Sequence, residues 1–237
     1  MQEWIPYCGA APEPADWLAR WNFDPMLLSA FVLVSLWAGR RGDTGRSFWA
    51  GVAVLLLLFV SPLCALSSAL FSVRVAHHVA LTAIAAPLLV LGWPGLRPAG
   101  RPALWAGLHI VTFWLWHAPA PYAWALSTGS VYWAMQLSLL GSAILFWSGL
   151  RVAPAPTAII LLLGMMVQMG LLGALITFAS VPLYAPHYVS TQAWGLSPVE
   201  DQQLAGLLLW APAALFDLAA ALWKGWGLLA PPTARAR

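Results

Sequence analysis

Long apolar runs alternate with short polar connections along this chain. Seven runs fall at approximately 25–41, 47–70, 75–95, 102–126, 131–150, 156–179 and 202–226. A helix rises about 1.5 Å per residue, so roughly 20 apolar residues cross a hydrocarbon core of about 30 Å. The runs are continuous rather than alternating, which argues against a membrane β-barrel. The pattern therefore predicts an all-α fold, a polytopic bundle of seven transmembrane helices. Residues 1–24 form a short extracytoplasmic segment, 25–226 the transmembrane domain and 227–237 a cytoplasmic tail.

Local signals punctuate the runs. Asp24-Pro25 is a helix start, with aspartate as N-cap and proline at the first helical position. Ser130 is a candidate cap for the fifth run. Pro94, Pro98 and Pro102 mark the third connection, and Pro154 and Pro156 the fifth. Pro62, Pro87 and Pro212 lie inside runs and are expected to kink them.

Composition agrees with the pattern. Hydrophobic residues make up 61% and charged residues 8%, beyond the roughly 45–50% apolar content of ordinary globular chains. The net charge of +3 is scattered over run ends rather than clustered, so it marks topology and not a nucleic-acid surface. The start of the chain, with Glu3, Glu13, Asp16 and Asp24 against Arg20, lacks the basic and apolar regions of a signal peptide. Arg40, Arg41 and Arg46 fall in the first connection, Arg97 and Arg101 in the third, Arg151 in the fifth, and Lys224, Arg235 and Arg237 near the end. The opposite side holds only Arg20 and, in the second connection, Arg74. The positive-inside rule then places the N-terminus outside and the C-terminus in the cytoplasm.

That topology puts His77, His78, His117, Tyr122, Tyr184, His187, Glu200 and Asp201 at or near outer helix ends, and only His109 and Asp217 toward the inner half. Arg74 precedes His77 by three residues and His78 by four, so it shares a helical face with each in turn. Imidazoles are ligands for copper, zinc or haem iron, but adjacent histidines point about 100° apart and rarely grip one ion together. The alternative is a polar pair at the lipid boundary. His117 follows an aromatic belt and either caps its helix or faces His78 across the bundle. His109 reads as a buried, hydrogen-bonded residue. Met165 and Met169, four apart, are the pair of thioethers to test as soft ligands, although packing is the ordinary role of methionine. Cys8 and Cys64 both fall outside, where a disulfide is permitted. In Ser197-Pro198-Val199-Glu200, serine as N-cap and glutamate three residues on make a capping box. No nucleotide-binding or hydrolase motif occurs.

Four segments together resemble a known family. They are Ser61–Leu66 with Leu70–Ser72; His78 running to Ala85–Gly92; Trp114–Leu126; and Leu171–Tyr188 leading into Trp194–Trp210. These resemble the membrane-integral CtaG family, assembly factors of caa-type cytochrome c oxidase. The resemblance implies a non-catalytic, multi-pass protein of the bacterial inner (plasma) membrane. It also implies a role in maturing a haem–copper oxidase by supplying copper to its catalytic subunit. His78, His117 and Tyr122 match family motif positions. Arg74 stands where the family has a histidine, Met135 and Gln136 where it has a Glu-His pair, and Cys64 where it has an aspartate. The expected copper ligands are thus His78 and His117, with His77 and Cys64 behind them. Arg74, Tyr122, Tyr184, His187, Glu200, Asp201 and Gln202 are expected at the mouth or partner contact. The alternatives are a non-metal accessory subunit bound to the oxidase, a haem-binding carrier, and a transporter.

Overall fold

The computed structural model describes residues 4, 6–96 and 101–229. Glu3, Arg97, Pro98, Arg235, Arg237 and the tail from residue 230 lie outside the described residues. Among the described residues every regular element is helical. All seven apolar runs contain helix, but several are broken. α1 spans Pro25–Arg41; its N-cap Asp24 accepts from the Met26 and Leu27 amides, and Gly42 ends it with φ 68°. α2 (Arg46–Val60) and α3 (Leu63–Ala69) meet at an angle of 50°. Pro62 is the cause, because the residue before a proline is driven out of the helical region, and Ser61 is extended. After Leu70 the chain forms α4 (Phe71–Val79), a π-helical stretch (Ala80–Ala85) and α5 (Ala86–Leu91) as one rod. Pro87 lacks the N–H that would bond four residues back, and the rod absorbs this as a π stretch.

The remaining helices are α6 (Pro102–His117), α7 (Pro119–Ala125), α8 (Gly129–Val152), α9 (Ala155–Phe178) and α10 (Pro198–Leu229). Ala118, before Pro119, is extended and separates α6 from α7. α8 begins at Gly129 with Thr128 at the cap position, so Ser130 lies inside the helix rather than capping it. α10 runs through Pro212.

The expected count of seven spans is not reproduced by length. Four rods are long and apolar enough to cross a membrane: Phe71–Leu91, α8, α9 and α10; the bent α2–α3 pair makes five. α1 and α6, at 17 and 16 residues, reach only about 25 Å.

α4, α6, α8, α9 and α10 share one core, and α9 packs most closely on α10. A Cβ on Gly206 would come within 2.1 Å of Thr177 Oγ1, and one on Gly173 within 2.7 Å of the Gly206 carbonyl. Glycine at both positions lets the two backbones touch. Large apolar side chains such as Val167, Leu171, Leu175, Leu207 and Trp210 face outward, whereas all five histidines are buried. This inversion of the soluble-protein pattern is what a lipid surround requires.

The structure also corrects the reading of Arg74. It is not a charge in a connection. It lies inside α4 with 0% exposure and does not mark topology.

Candidate functional site

Three helices build a polar node. α4 carries Arg74, His77 and His78; α6 ends on His117; α8 carries Tyr132 and Gln136, four residues apart on one face. All six are buried. His117 Nδ1–H donates to the Phe113 carbonyl at 2.8 Å, which leaves Nε2 as its lone-pair nitrogen. That nitrogen accepts a hydrogen bond from His78 Nδ1–H at 3.4 Å, a contact that an ion held by the pair would replace. His78 Nε2 has no hydrogen-bond partner among the described residues. The two imidazoles expected to converge from separate helices therefore do so.

His77 turns away from this pair. Its ring meets Phe59 edge to face at 5.0 Å, and neither nitrogen forms a hydrogen bond of ordinary geometry among the described residues. Arg74 Nη1 donates to Tyr132 Oη at 3.3 Å, with the guanidinium carbon 5.2 Å from the ring centre. Nε and Nη2 form no hydrogen bond of ordinary geometry, and Arg74 has no carboxylate partner among the described residues. Both polar atoms of Gln136 are likewise without partners.

Cys64 is disulfide-bonded to Cys8, so in this oxidised form it offers no thiolate to the node. The bond ties the N-terminal segment to α3. Tyr132 Oη lies 3.3 Å from Cys8 Sγ and, as the only hydrogen donor of the two, donates to it. Tyr7 Oη donates to Asp24 at 2.8 Å. Burial pushes the Tyr7 phenol up to about 12, the Asp24 bond adding to the effect.

The residues expected at a mouth divide into two groups. Glu200 is exposed and completes the capping box: the Ser197 amide donates to it at 2.7 Å, and its own amide donates to Ser197 Oγ at 3.2 Å. Asp201 and Gln202 are buried and structural. Asp201 accepts from the Phe71 amide at 2.7 Å, from the Ser72 amide at 3.1 Å and from the Ser72 hydroxyl. It thereby caps α4, the helix that carries the node. Gln202 accepts from the Leu183 amide at 2.7 Å and donates to the Ile176 and Val181 carbonyls. It holds the loop that follows α9.

That loop folds over the node. Tyr184 Oη donates to the His117 carbonyl at 2.8 Å, and its ring stacks on Phe71 at 3.6 Å. His187 Nδ1–H donates to the Ala69 carbonyl at 3.2 Å, so its Nε2 accepts from Tyr122 Oη at 2.7 Å. Burial pushes His187 down to about 3, the Ala69 bond opposing and the Arg74 charge adding. Burial also pushes the Tyr184 phenol up.

The node's fit to a metal is partial. Two imidazole nitrogens bound to one ion at about 2.0–2.1 Å in tetrahedral geometry sit about 3.3–3.4 Å apart, which is the His78–His117 spacing. His117 also has the backbone-anchored Nδ1–H typical of metal-ligating histidines. Yet among the described residues no group of three His, Cys, Asp or Glu side chains is placed to hold an ion. Tyr132 and the cap made by Asp201 escaped the sequence reading. Tyr132 had one signal, its spacing of four from Gln136; the Asp201 cap had none, because its partners are 130 residues away.

These features define a multi-helix membrane protein with an enclosed, histidine-rich polar node under a hydrogen-bonded loop. The chain belongs to the cytochrome c oxidase caa3 assembly factor family, Caa3_CtaG, whose family model matches residues 29–230. No curated protein and no solved structure matches it.

Proposed function

We propose that this chain carries copper(I) as cargo for the catalytic subunit of a caa3-type oxidase, at the outer face of the bacterial inner membrane. One observation carries the reading: His78 Nδ1 and His117 Nε2 stand 3.4 Å apart on separate helices. Only two imidazoles face each other, and a guanidinium sits one turn away on α4. Both features favour loose holding and release over permanent storage, because a fixed positive charge raises the free energy of a cation beside it. Tyr184, bonded to the His117 carbonyl, couples the covering loop to the ligand helix. The exposed Glu200 is the surface contact to the oxidase. No catalytic turnover is assigned.

Two observations support the orientation. A disulfide between Cys8 and Cys64 belongs on the oxidising side of a membrane. Removing Arg74 from the outer connections leaves that side with fewer cations still, which sharpens the positive-inside asymmetry.

A second reading, a non-metal accessory subunit that stays bound to the oxidase, is favoured by Arg74 and by the absence of a three-donor group among the described residues. Titration of the purified chain with Cu(I) held reduced by ascorbate separates the two. The cargo reading expects the number of Cu(I) ions bound per chain to fall by one in His78→Ala and in His117→Ala. If both variants bind as many Cu(I) ions as wild type with the same affinities, the pair is not the holding site. Fixed-ratio copurification of a copper-free chain with the oxidase would establish the second reading.

A further inference from the structure

Beneath the node is a separate cavity of about 20 Å³, lined by His109, Met165, Met169 and Asp217 against a wall that includes Phe113 and Trp147. It accommodates about one water-sized particle. Besides Thr82, whose hydroxyl donates to the His78 carbonyl, four donor-bearing residues line it from three helices, α6, α9 and α10, and each is at least 94% buried. We propose that this cavity is a binding site for a soft monovalent cation, Cu(I), distinct from the His78–His117 pair.

Hydrogen bonding presets the imidazole. The Ser142 hydroxyl donates to the Leu139 carbonyl at 3.2 Å, so its oxygen is the acceptor for His109 Nδ1–H at 2.9 Å. Nε2 is left as the lone-pair nitrogen, the arrangement in which a protein-anchored histidine ligates metal. Met165 and Met169 lie four apart on one face of α9 and both reach the cavity. Thioethers select Cu(I) over Zn²⁺ and Mg²⁺, while imidazole accepts copper readily.

Charge selects the valence. Asp217 makes no hydrogen bond or ion pair among the described residues. A bare carboxylate inside a membrane protein costs several kcal/mol. A monovalent cation that displaces the proton of the acid form keeps the ensemble neutral, whereas a divalent one leaves a net charge in the same low-dielectric space. His109, two methionines and one carboxylate therefore match Cu(I) in both softness and charge.

One side chain borders both the cavity and the node. Phe113, in the cavity wall, stacks on His117 at 4.2 Å and meets His109 at 6.0 Å. His109 and His117 are eight residues apart on α6, about 12 Å along the axis.

The test uses the full chain in detergent, loaded with Ag(I), a soft monovalent stand-in for Cu(I) that needs no reductant and leaves the Cys8–Cys64 bond intact. Silver content and X-ray absorption are read on wild type, M165L/M169L, Asp217→Asn and H78A/H117A. The expected result is retained silver with sulfur neighbours in wild type and in H78A/H117A. M165L/M169L loses the sulfur neighbours, and Asp217→Asn weakens retention by at least about tenfold. Leucine for methionine keeps side-chain volume, and circular dichroism confirms the helical fold. The proposal is overturned by wild type retaining no silver, by silver with only nitrogen and oxygen neighbours, or by sulfur neighbours that persist in folded M165L/M169L. Because H78A/H117A is measured alongside, loss of the upper pair and loss of this cavity give different signatures.

Discussion

Replacing Arg74 with methionine is the perturbation that best probes the node. Arg74 is fully buried, lacks a carboxylate partner among the described residues, and sits one turn before His78 on α4. Four residues correspond to about 6 Å along the axis. Two unit charges 6–8 Å apart in an effective dielectric of about 20 repel by roughly 2–3 kcal/mol. Arg74→Met should therefore tighten Cu(I) at the His78–His117 pair by about 30- to 100-fold. Stability has an expected direction too. An unpaired buried cation costs several kcal/mol; its ring contact and hydrogen bond with Tyr132 return about 1–3 kcal/mol. The unfolding temperature in detergent should rise or hold. The affinity is measured by competition with a coloured Cu(I) chelator in the M165L/M169L background, which silences the lower cavity. A folded Arg74→Met chain that binds Cu(I) no more tightly than its parent would refute the claim that Arg74 acts electrostatically on cargo at this pair.

Three further outcomes follow from the geometry. Asp201→Ala leaves the Phe71 and Ser72 amides without their acceptor and should cost about 2–4 kcal/mol in thermal unfolding; an unchanged midpoint would deny that this carboxylate starts α4. Gly206→Ala drives a methyl into Thr177 and the Gly173 carbonyl, so it should destabilise by about 1–3 kcal/mol, read by the same assay; no loss would mean α9 and α10 do not approach this closely. His187 is held neutral down to about 3 by burial, so the unfolded chain takes up its proton first and stability falls as pH drops from 6.5 toward 3. Between pH 6.5 and 5 this residue should account for about 1.5 kcal/mol, and His187→Gln should flatten the pH profile by that amount; parallel profiles would contradict its burial.

Much of this architecture is written locally. The cap at Asp24, the capping box at Ser197 and Glu200, and the bend at Pro62 each depend on residues within a turn of one another. The burial of His109 was legible because bare polar groups do not face lipid, whereas for His77 and His78 a polar pair at the lipid boundary stayed open along the sequence. Arg74 was misread for the opposite reason. Nothing near Leu70 signals that a helix restarts at Phe71, since the cap comes from Asp201. The count of spans was obscured by Pro62 and Pro119, which divide apolar runs without interrupting their hydropathy. Met165 and Met169 look like core filler along the sequence, and only the fold brings Asp217 and His109 to the same cavity.

The cargo reading meets its most direct test in the copper content of caa3-type oxidase purified from cells that lack this chain, carry it, or carry His117→Ala. The account predicts copper-deficient oxidase without the chain, full copper with wild type, and deficiency again with a membrane-inserted His117→Ala protein. Fully metallated oxidase from cells lacking the chain would contradict it.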